Sequence, residues 1–286
     1  MSKVWLITGS ARGLGRSILE AALAEGDSIV ATARNPERLS DLEAKFPNRL
    51  KSFALDVTDG NAANAAVDFA IDTFGRLDVL VNNAGYGHIL PFEQTGEAEF
   101  RDQLETNFFG VVNLIRAALP HMRQRRTGHI INISSVGGRT SAPGLSAYQS
   151  AKWAVGGLTE VLAKETAGFG IEIVAVEPGG MRTDWSAIAS EQRTDLLEEY
   201  RASVGAMLTH LQEYFGNEIG DPGKVAEVVV GLSKRRNLPA HLLLGSDALA
   251  VYAKAEGERQ RSLDEWTAVS KSVDIENVDI GFLDHL

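Results

Sequence analysis

The segment KVWLITGSARGLGRSILEAALA, residues 3–24, decides how the chain is read. Lys3 to Thr8 is a short apolar run of the kind a fully buried strand shows. Glycines follow at Gly9, Gly13 and Gly15, and from about Leu14 to Ala24 apolar residues recur at helical spacing. A strand, a glycine turn and a helix in immediate succession form what a pyrophosphate needs. Side chains are absent where phosphates approach, and the helix N-terminus offers free N–H groups and positive potential. A P-loop does not fit, because Ser10 stands where its first glycine belongs, so a dinucleotide is expected rather than a nucleoside triphosphate.

The same alternation continues outward. Ser28 to Ala33 reads as a second strand, with Arg34 after it and Asn35-Pro36 opening a helix through about Phe46. A third strand, Leu50 to Leu55, ends in Asp56-Val57. The Asp56 carboxylate suits an adenine amine, and it equally suits capping of the helix that begins near Asp59. Asp78 to Val81 is a fourth strand closed by Asn82-Asn83-Ala84-Gly85, a turn that fits backbone locking beside a flat ligand or an ordinary connection. One helix is expected from about Glu97 to Met122, with Asn107 near its middle among large apolar neighbours, an unfavourable place without a reason. His129 to Ser134 is a fifth strand and Ile171 to Val176 a sixth, the latter ending in Glu177-Pro178-Gly179-Gly180. Asp221-Pro222 opens a further helix, His241 to Leu244 is the last strand, and a polar helix and acidic tail follow. Strands alternating with helices imply a doubly wound α/β fold with a parallel sheet and right-handed crossovers. Ligands of such sheets bind beyond the carboxyl ends of the strands. The glycine turn, Arg34, Asp56, the NNAG turn, Ser135 and Pro178-Gly179 all fall there.

The chemistry centres on residues 128–153, where the fifth strand ends in the paired hydroxyls of Ser134 and Ser135 and a glycine-rich loop leads into SAYQSAKW. Helical spacing places Tyr148 and Lys152 on one face. A phenol with a pKa near ~10 is a poor proton carrier at neutral pH, and a nearby cation lowers that value. Ser135 is positioned to hold a carbonyl or alcohol oxygen beside the phenol. By itself the spacing equally describes a half-buried tyrosine and an exposed lysine on an ordinary helix.

Composition bounds the alternatives. A chain of 286 residues suits one α/β domain, with a formal net charge of −10 that disfavours nucleic acid or an anionic membrane as partner. Zero cysteines removes disulfides, thiolate metal sites and cysteine nucleophiles, and no signal segment precedes the first strand, so the cytoplasm is the expected location. No apolar run reaches the ~20 residues of a membrane span. No metal site is expected, the six histidines forming no metal-binding pattern, and GxSxG is absent.

With these motifs in place, the sequence resembles the short-chain dehydrogenase/reductase family over most of its length. TGSARGLG matches the family's TGxxxGxG cofactor turn, Asp56-Val57 its adenine contact, NNAG its structural motif, and Asn107, Ser135, Tyr148 and Lys152 its catalytic tetrad. Ser135 is preferred to Ser134 because it stands 13 positions before Tyr148 (148 − 135), a spacing common in the family. The resemblance implies a Rossmann fold of about seven parallel strands and hydride transfer between NAD(P) and an alcohol or carbonyl. Tyr148 would carry the proton, Lys152 would lower its pKa and bind the nicotinamide ribose, Ser135 would hold the substrate oxygen, and Asn107 would anchor a water. The cofactor surface it implies comprises Gly9, Ser10, Arg12, Gly13, Leu14, Gly15, Arg34, Asp56, Val57, Asn83, Ala84, Gly85, Tyr148, Lys152, Pro178, Gly179, Met181 and Thr183. Two departures stand out. Glu177 replaces the asparagine usual before the Pro-Gly pair. The glycine-rich ending of tetrameric members gives way to LLLGSDALA and a helical extension over 245–286, so a homo-oligomer, dimer or tetramer, is compatible but a tetramer does not transfer.

NAD users of this fold tend to carry a carboxylate at the end of the second strand, where this chain has Ala33. Arg34 follows and Arg12 lies in the glycine turn, so two guanidinium groups suit the 2′-phosphate of NADP; the alternative is two solvated surface arginines. For substrate, Tyr86 to Phe92, Leu145, Trp185 and an apolar stripe from Leu196 to Phe215 are expected to wall a pocket for a hydrophobic ketone, aldehyde or secondary alcohol. The 181–220 connection is expected to act as a lid. The competing reading is a redox-sensing protein that binds the dinucleotide without turnover.

Overall fold

In the computed structural model the described residues are 2–183, 185, 195–275 and 281. The strands are β1 Val4–Ile7, β2 Ser28–Ala33, β3 Leu50–Ala54, β4 Val79–Asn82, β5 Gly128–Ile133, β6 Ile171–Pro178 and β7 His241–Leu244. They form one seven-stranded sheet in the order β3-β2-β1-β4-β5-β6-β7. Every pairing is parallel. The chain starts in the middle, winds outward to β3, then crosses back and winds to β7. That reversal opens a crevice between the carboxyl ends of β1 and β4, which are neighbours in the sheet.

The sheet is buried on both faces, so its strands read as nearly continuous apolar runs. Trp5 and Ile7 turn to one face, against Leu14 and Ile18 of α1 (Gly13–Ala24) and Val225 and Val229 of α8 (Pro222–Leu232). Leu6 and Leu80 turn to the other, against α3 (Gly60–Phe74), α5 (Gly110–Arg125) and α6 (Ser146–Thr166). A short helix, α2 (Ser40–Lys45), follows a 3-10 turn opened by Asn35 and Pro36.

The helix expected from Glu97 to Met122 is interrupted. Helix α4 (Glu97–Leu104) passes through a π-turn, Glu105–Phe109, before α5 continues to Arg125. Asn107 lies in that turn, fully buried. In the expected lid, residues 184 and 186–194 lie outside the described residues. The rest comprises a 3-10 turn Glu198–Tyr200, a π-turn Arg201–Gly205 and α7 (Ala206–Tyr214). Within the described part of the extension lies a 26-residue helix, α9 (Ser246–Lys271). Most of the expected acidic tail lies outside the described residues. No described helix is long and apolar enough to cross a membrane.

Candidate active site

The glycine turn is built by close approach. Gly9 has a positive φ of 64°, and a Cβ on Gly15 would lie 2.5 Å from both the Gly9 carbonyl oxygen and Asn83 Nδ2. Asn83 explains the crowding: its side chain donates to the Thr8 and Gly9 carbonyls at 2.9 and 3.2 Å. The Asn83 and Ala84 amides both donate to Thr8 Oγ1, at 2.9 and 3.0 Å. The NNAG segment therefore locks the backbone of the turn. Arg12 occupies the N-cap position of α1 in extended conformation and no side chain caps the helix, so its first N–H groups remain available to an anion. Ser10 is fully buried with its hydroxyl on the Thr32 carbonyl, 3.2 Å away, and Leu14 packs inward.

Arg12 and Arg34 are exposed, and neither is in an ion pair among the described residues. Arg16, by contrast, is spent on Glu20 and Asp41. Asp56 accepts from the Thr58 amide and hydroxyl at 3.0 and 2.8 Å. The Thr58 amide bond leads in holding its carboxyl below the usual range, opposed by burial and helped by the hydroxyl bond and the charge of Arg34. The capping role open to it falls to Asp59, which accepts from the Asn61 and Ala62 amides. Val57 is buried, and its carbonyl accepts from Asn113 Nδ2 at 3.0 Å. A cradle that a Cβ at Gly15 would fill, an uncapped helix N-terminus and two free guanidinium groups fit a phosphate-bearing dinucleotide.

At the other end of the cleft, Tyr148 is 9% exposed and Lys152 5%. Ser134 and Ser135 face different ways: the Ser134 hydroxyl donates to the Lys152 carbonyl at 3.3 Å, while Ser135 hydrogen-bonds Tyr148 and accepts from the Gly137 amide at 3.0 Å. Burial pushes the Tyr148 phenol up to about 12, the Ser135 bond pulling the other way. Burial also lowers Lys152 to about 8. Lys152 is expected to depress the tyrosine pKa, and its charge is not among the causes that shift Tyr148. Its Nζ donates to the Ile133 carbonyl at 2.8 Å and stands 5.7 Å from the centre of the Tyr148 ring, so burial governs both groups.

Asn107 has its reason in the π-turn. It accepts from the Tyr86 amide at 3.2 Å and donates to the Tyr86 and Gln103 carbonyls at 2.7 and 2.8 Å, fixing the chain that leaves Gly85. An apolar wall covers Tyr148, formed by Ile89, Leu145 and Val204 with Leu196, Tyr200, Leu208 and Leu211 of the stripe. The Trp185 and Tyr148 ring centres are 5.4 Å apart. Several expected wall residues lie outside this wall, Tyr214 among them, whose hydroxyl binds Asp247. Phe92 is 69% exposed and Leu197 44%.

At the end of β6, Glu177 is fully buried, its Oε1 2.7 Å from His241 Nδ1 and its Oε2 3.9 Å from Arg139, too long for a hydrogen bond. The Pro178 to Gly180 turn meets the first turn of α9, where Asp247 accepts from the Gly180 amide. Sequence reading assigned no role to His241 or Asp247. One starts an apolar strand and the other sits in a helix first turn, where acids are common for reasons of the helix dipole.

The family model for short chain dehydrogenases matches residues 3–194. An oxidoreductase of Botryotinia fuckeliana is 48% identical over 94% of this chain and 98% of its own. A solved short-chain dehydrogenase from Streptomyces avermitilis is 40% identical, covers 96% of this chain and 100% of its own, and superposes with a TM-score of 0.89. More distantly, ElxO with NADP bound is 29% identical (TM-score 0.72, covering 87% of this chain and 100% of its own). A 3-ketoacyl-(acyl-carrier-protein) reductase from Brucella melitensis complexed with NADH is 25% identical (TM-score 0.73, covering 85% and 96%). With the family model matched over residues 3–194 and the fold shared along nearly the whole chain, the chain belongs to the short-chain dehydrogenase/reductase family of oxidoreductases.

Proposed function

We propose that the chain is a cytoplasmic NADPH-dependent reductase of hydrophobic ketones or aldehydes, running in reverse as an alcohol dehydrogenase. The observation that carries this reading is a buried Tyr148, held against Ser135 beneath an apolar wall, at the mouth of a cleft whose far end presents two unpaired arginines. When bound, the dinucleotide supplies the hydride that adds to the carbonyl carbon. Tyr148 gives its phenolic proton to the substrate oxygen, and with a pKa of about 12 it is fully protonated at neutral pH, the form reduction uses. Ser135 donates a second hydrogen bond to that oxygen. Lys152 holds the nicotinamide ribose and brings positive charge to the tyrosine. Asn107 acts by fixing Tyr86, and Gly9, Arg12, Gly13, Gly15, Asp56, Val57, Asn83, Ala84, Gly85, Pro178, Gly179, Met181 and Thr183 border the dinucleotide, while the buried Ser10 and Leu14 support the turn from beneath. Arg12 and Arg34 take the 2′-phosphate, at a strand end where Ala33 puts no carboxylate in its way. Ile89, Leu145, Val204 and Trp185 favour an apolar substrate over a sugar.

The test is a carbonyl panel followed by dinucleotide absorbance, run with NADPH and with NADH. Turnover of hydrophobic carbonyls with a clear NADPH preference is expected. Preference for polyhydroxylated substrates overturns the substrate class, and equal efficiency with both dinucleotides overturns the cofactor assignment. Dinucleotide binding with no turnover across the panel replaces the enzyme reading by the sensor reading.

A further inference from the structure

The C-terminal helix α9 reaches back into the cleft through one side chain. Asp247 lies in its first turn, where an acid ordinarily serves its own helix, yet the carboxylate is not the cap of α9. Its Oδ2 accepts instead from the Gly180 amide at 2.8 Å and from the Tyr214 hydroxyl of α7 at 3.0 Å. Its Oδ1 is buried and lies against Gly179 and Gly245. Three segments far apart in sequence therefore meet on one carboxylate.

The Gly179-Gly180 pair makes that meeting sterically feasible. A Cβ on Gly179 would overlap the Asp247 carboxylate, and one on Gly180 would overlap the Tyr214 ring. Beyond the pair, the chain is stitched to the end of the 181–220 connection. Gly220 N donates to the Gly180 carbonyl at 3.0 Å, Arg182 N to the Gly220 carbonyl at 3.2 Å, and Arg182 Nε to the Glu218 carbonyl at 2.9 Å. The turn so fixed delivers Thr183 opposite the glycine turn, where a Cβ on Gly13 would lie 3.8 Å from Thr183 Cβ. We infer that Asp247 is a positioning residue: by holding the Gly180 amide and Tyr214 together it sets where the 179–183 turn stands against the dinucleotide, so that α9 forms part of the functional fold. This inference rests on the dinucleotide reading above.

The experiment compares the parent with Asp247→Ala, Asp247→Asn and Tyr214→Phe in the full chain. Asparagine keeps an acceptor oxygen for both donors and alanine keeps none. NADPH binding is read by fluorescence titration, which needs no turnover, and the amides of 179–183 and 206–220 by hydrogen exchange without cofactor. Asp247→Ala is expected to weaken NADPH about tenfold and to speed exchange in both segments. Asp247→Asn should recover most of the affinity and slow exchange again, and Tyr214→Phe should speed exchange in 206–220 even if the alanine variant fails to fold. Parent-like affinity and exchange in the alanine and phenylalanine variants overturn the inference while leaving the dinucleotide reading intact. A loss that asparagine does not recover assigns Asp247 a charge role and also overturns it. A parent that binds no dinucleotide overturns the reading itself, and the inference with it.

Discussion

Tyr148 and Lys152 are almost wholly shielded from water, at 9% and 5% exposure, whereas Arg12 and Arg34 extend from the same row of strand ends into solvent. On the function proposed above both pairs bear on one cofactor, yet they obey different physics. At the dry end burial is the leading cause of both pKa shifts, pushing the phenol up and the ammonium down. At the wet end charges are screened and each contact is worth little until a ligand excludes water. On the function proposed above, a residue at the dry end should therefore decide whether chemistry occurs, and one at the wet end which cofactor is preferred.

The largest effect is expected from Tyr148→Phe, which removes a transferable proton and little volume. Turnover should fall by about 10²–10⁴-fold, the range for a positioned general acid, with NADPH affinity nearly intact by fluorescence titration. Steady-state rates close to the parent would remove Tyr148 from the mechanism.

Next in size is Gly15→Ala. The new methyl meets the Gly9 carbonyl and Asn83 Nδ2 at 2.5 Å, and both are held by hydrogen bonds. Destabilisation of about 3 kcal/mol is expected, at the upper end of overpacking costs, together with weakened dinucleotide binding. Urea unfolding measures the first and titration the second. Parent-like values in both would mean that the turn yields, and that close packing is not what shapes the cradle.

Lys152→Met tests the dry end alone. A shift from 10.5 to about 8 corresponds to about 3 kcal/mol of disfavoured charge at neutral pH. The lost bond to the Ile133 carbonyl offsets about 1 kcal/mol, so the variant should be about 2 kcal/mol more stable than the parent at pH 7 without dinucleotide, and inactive. Because the folded pKa lies below the unfolded one, the native parent binds fewer protons between about pH 8 and 10.5, and its stability rises through that window. The advantage of methionine should shrink accordingly as pH is raised. Unfolding at pH 7 and at pH 10 checks the sign; a variant less stable at pH 7 would show that the ammonium is not held at a cost.

How much of this was legible in the sequence depended on distance along the chain. The glycine turn, the NNAG turn and the Tyr148–Lys152 face are local spacings, and the structure places the two turns at strand ends and the face on helix α6, as read. Asn107 was marked as out of place in a helix, but the π-turn that accommodates it follows from partners at Tyr86 and Gln103 that helical periodicity cannot register. Lys152 was expected to act on Tyr148, and a backbone carbonyl, invisible to any residue pattern, competes for its ammonium. Glu177 was seen as a departure, while its partner His241 lies 64 positions further on. Asp247 is 67 positions from Gly180 and gave no signal. Side chains that close contacts between distant elements escape local pattern because the fold, and not the neighbouring residues, chooses their partners.

The smallest expected effect lies at the wet end. Arg34 has no ion-pair partner among the described residues, and its charge reaches Asp56 and Tyr86 only through space. Removing it breaks no hydrogen bond or ion pair seen among the described residues, and a weak through-space charge in an exposed site costs little, so Arg34→Ala should leave thermal stability nearly unchanged. On the NADP reading proposed above, its guanidinium gains a partner when a 2′-phosphate arrives, and a charge-assisted bond in an exposed site is worth about tenfold in affinity. NADPH should therefore weaken about tenfold while NADH, which lacks that phosphate, stays level. Arg12→Ala sharpens the result. If both arginines hold one phosphate, removing the second after the first costs less than removing it alone, a coupling that titration of the double variant resolves. Equal losses for NADPH and NADH in Arg34→Ala would place the guanidinium on a group the two dinucleotides share and end the case for NADP preference at this strand end.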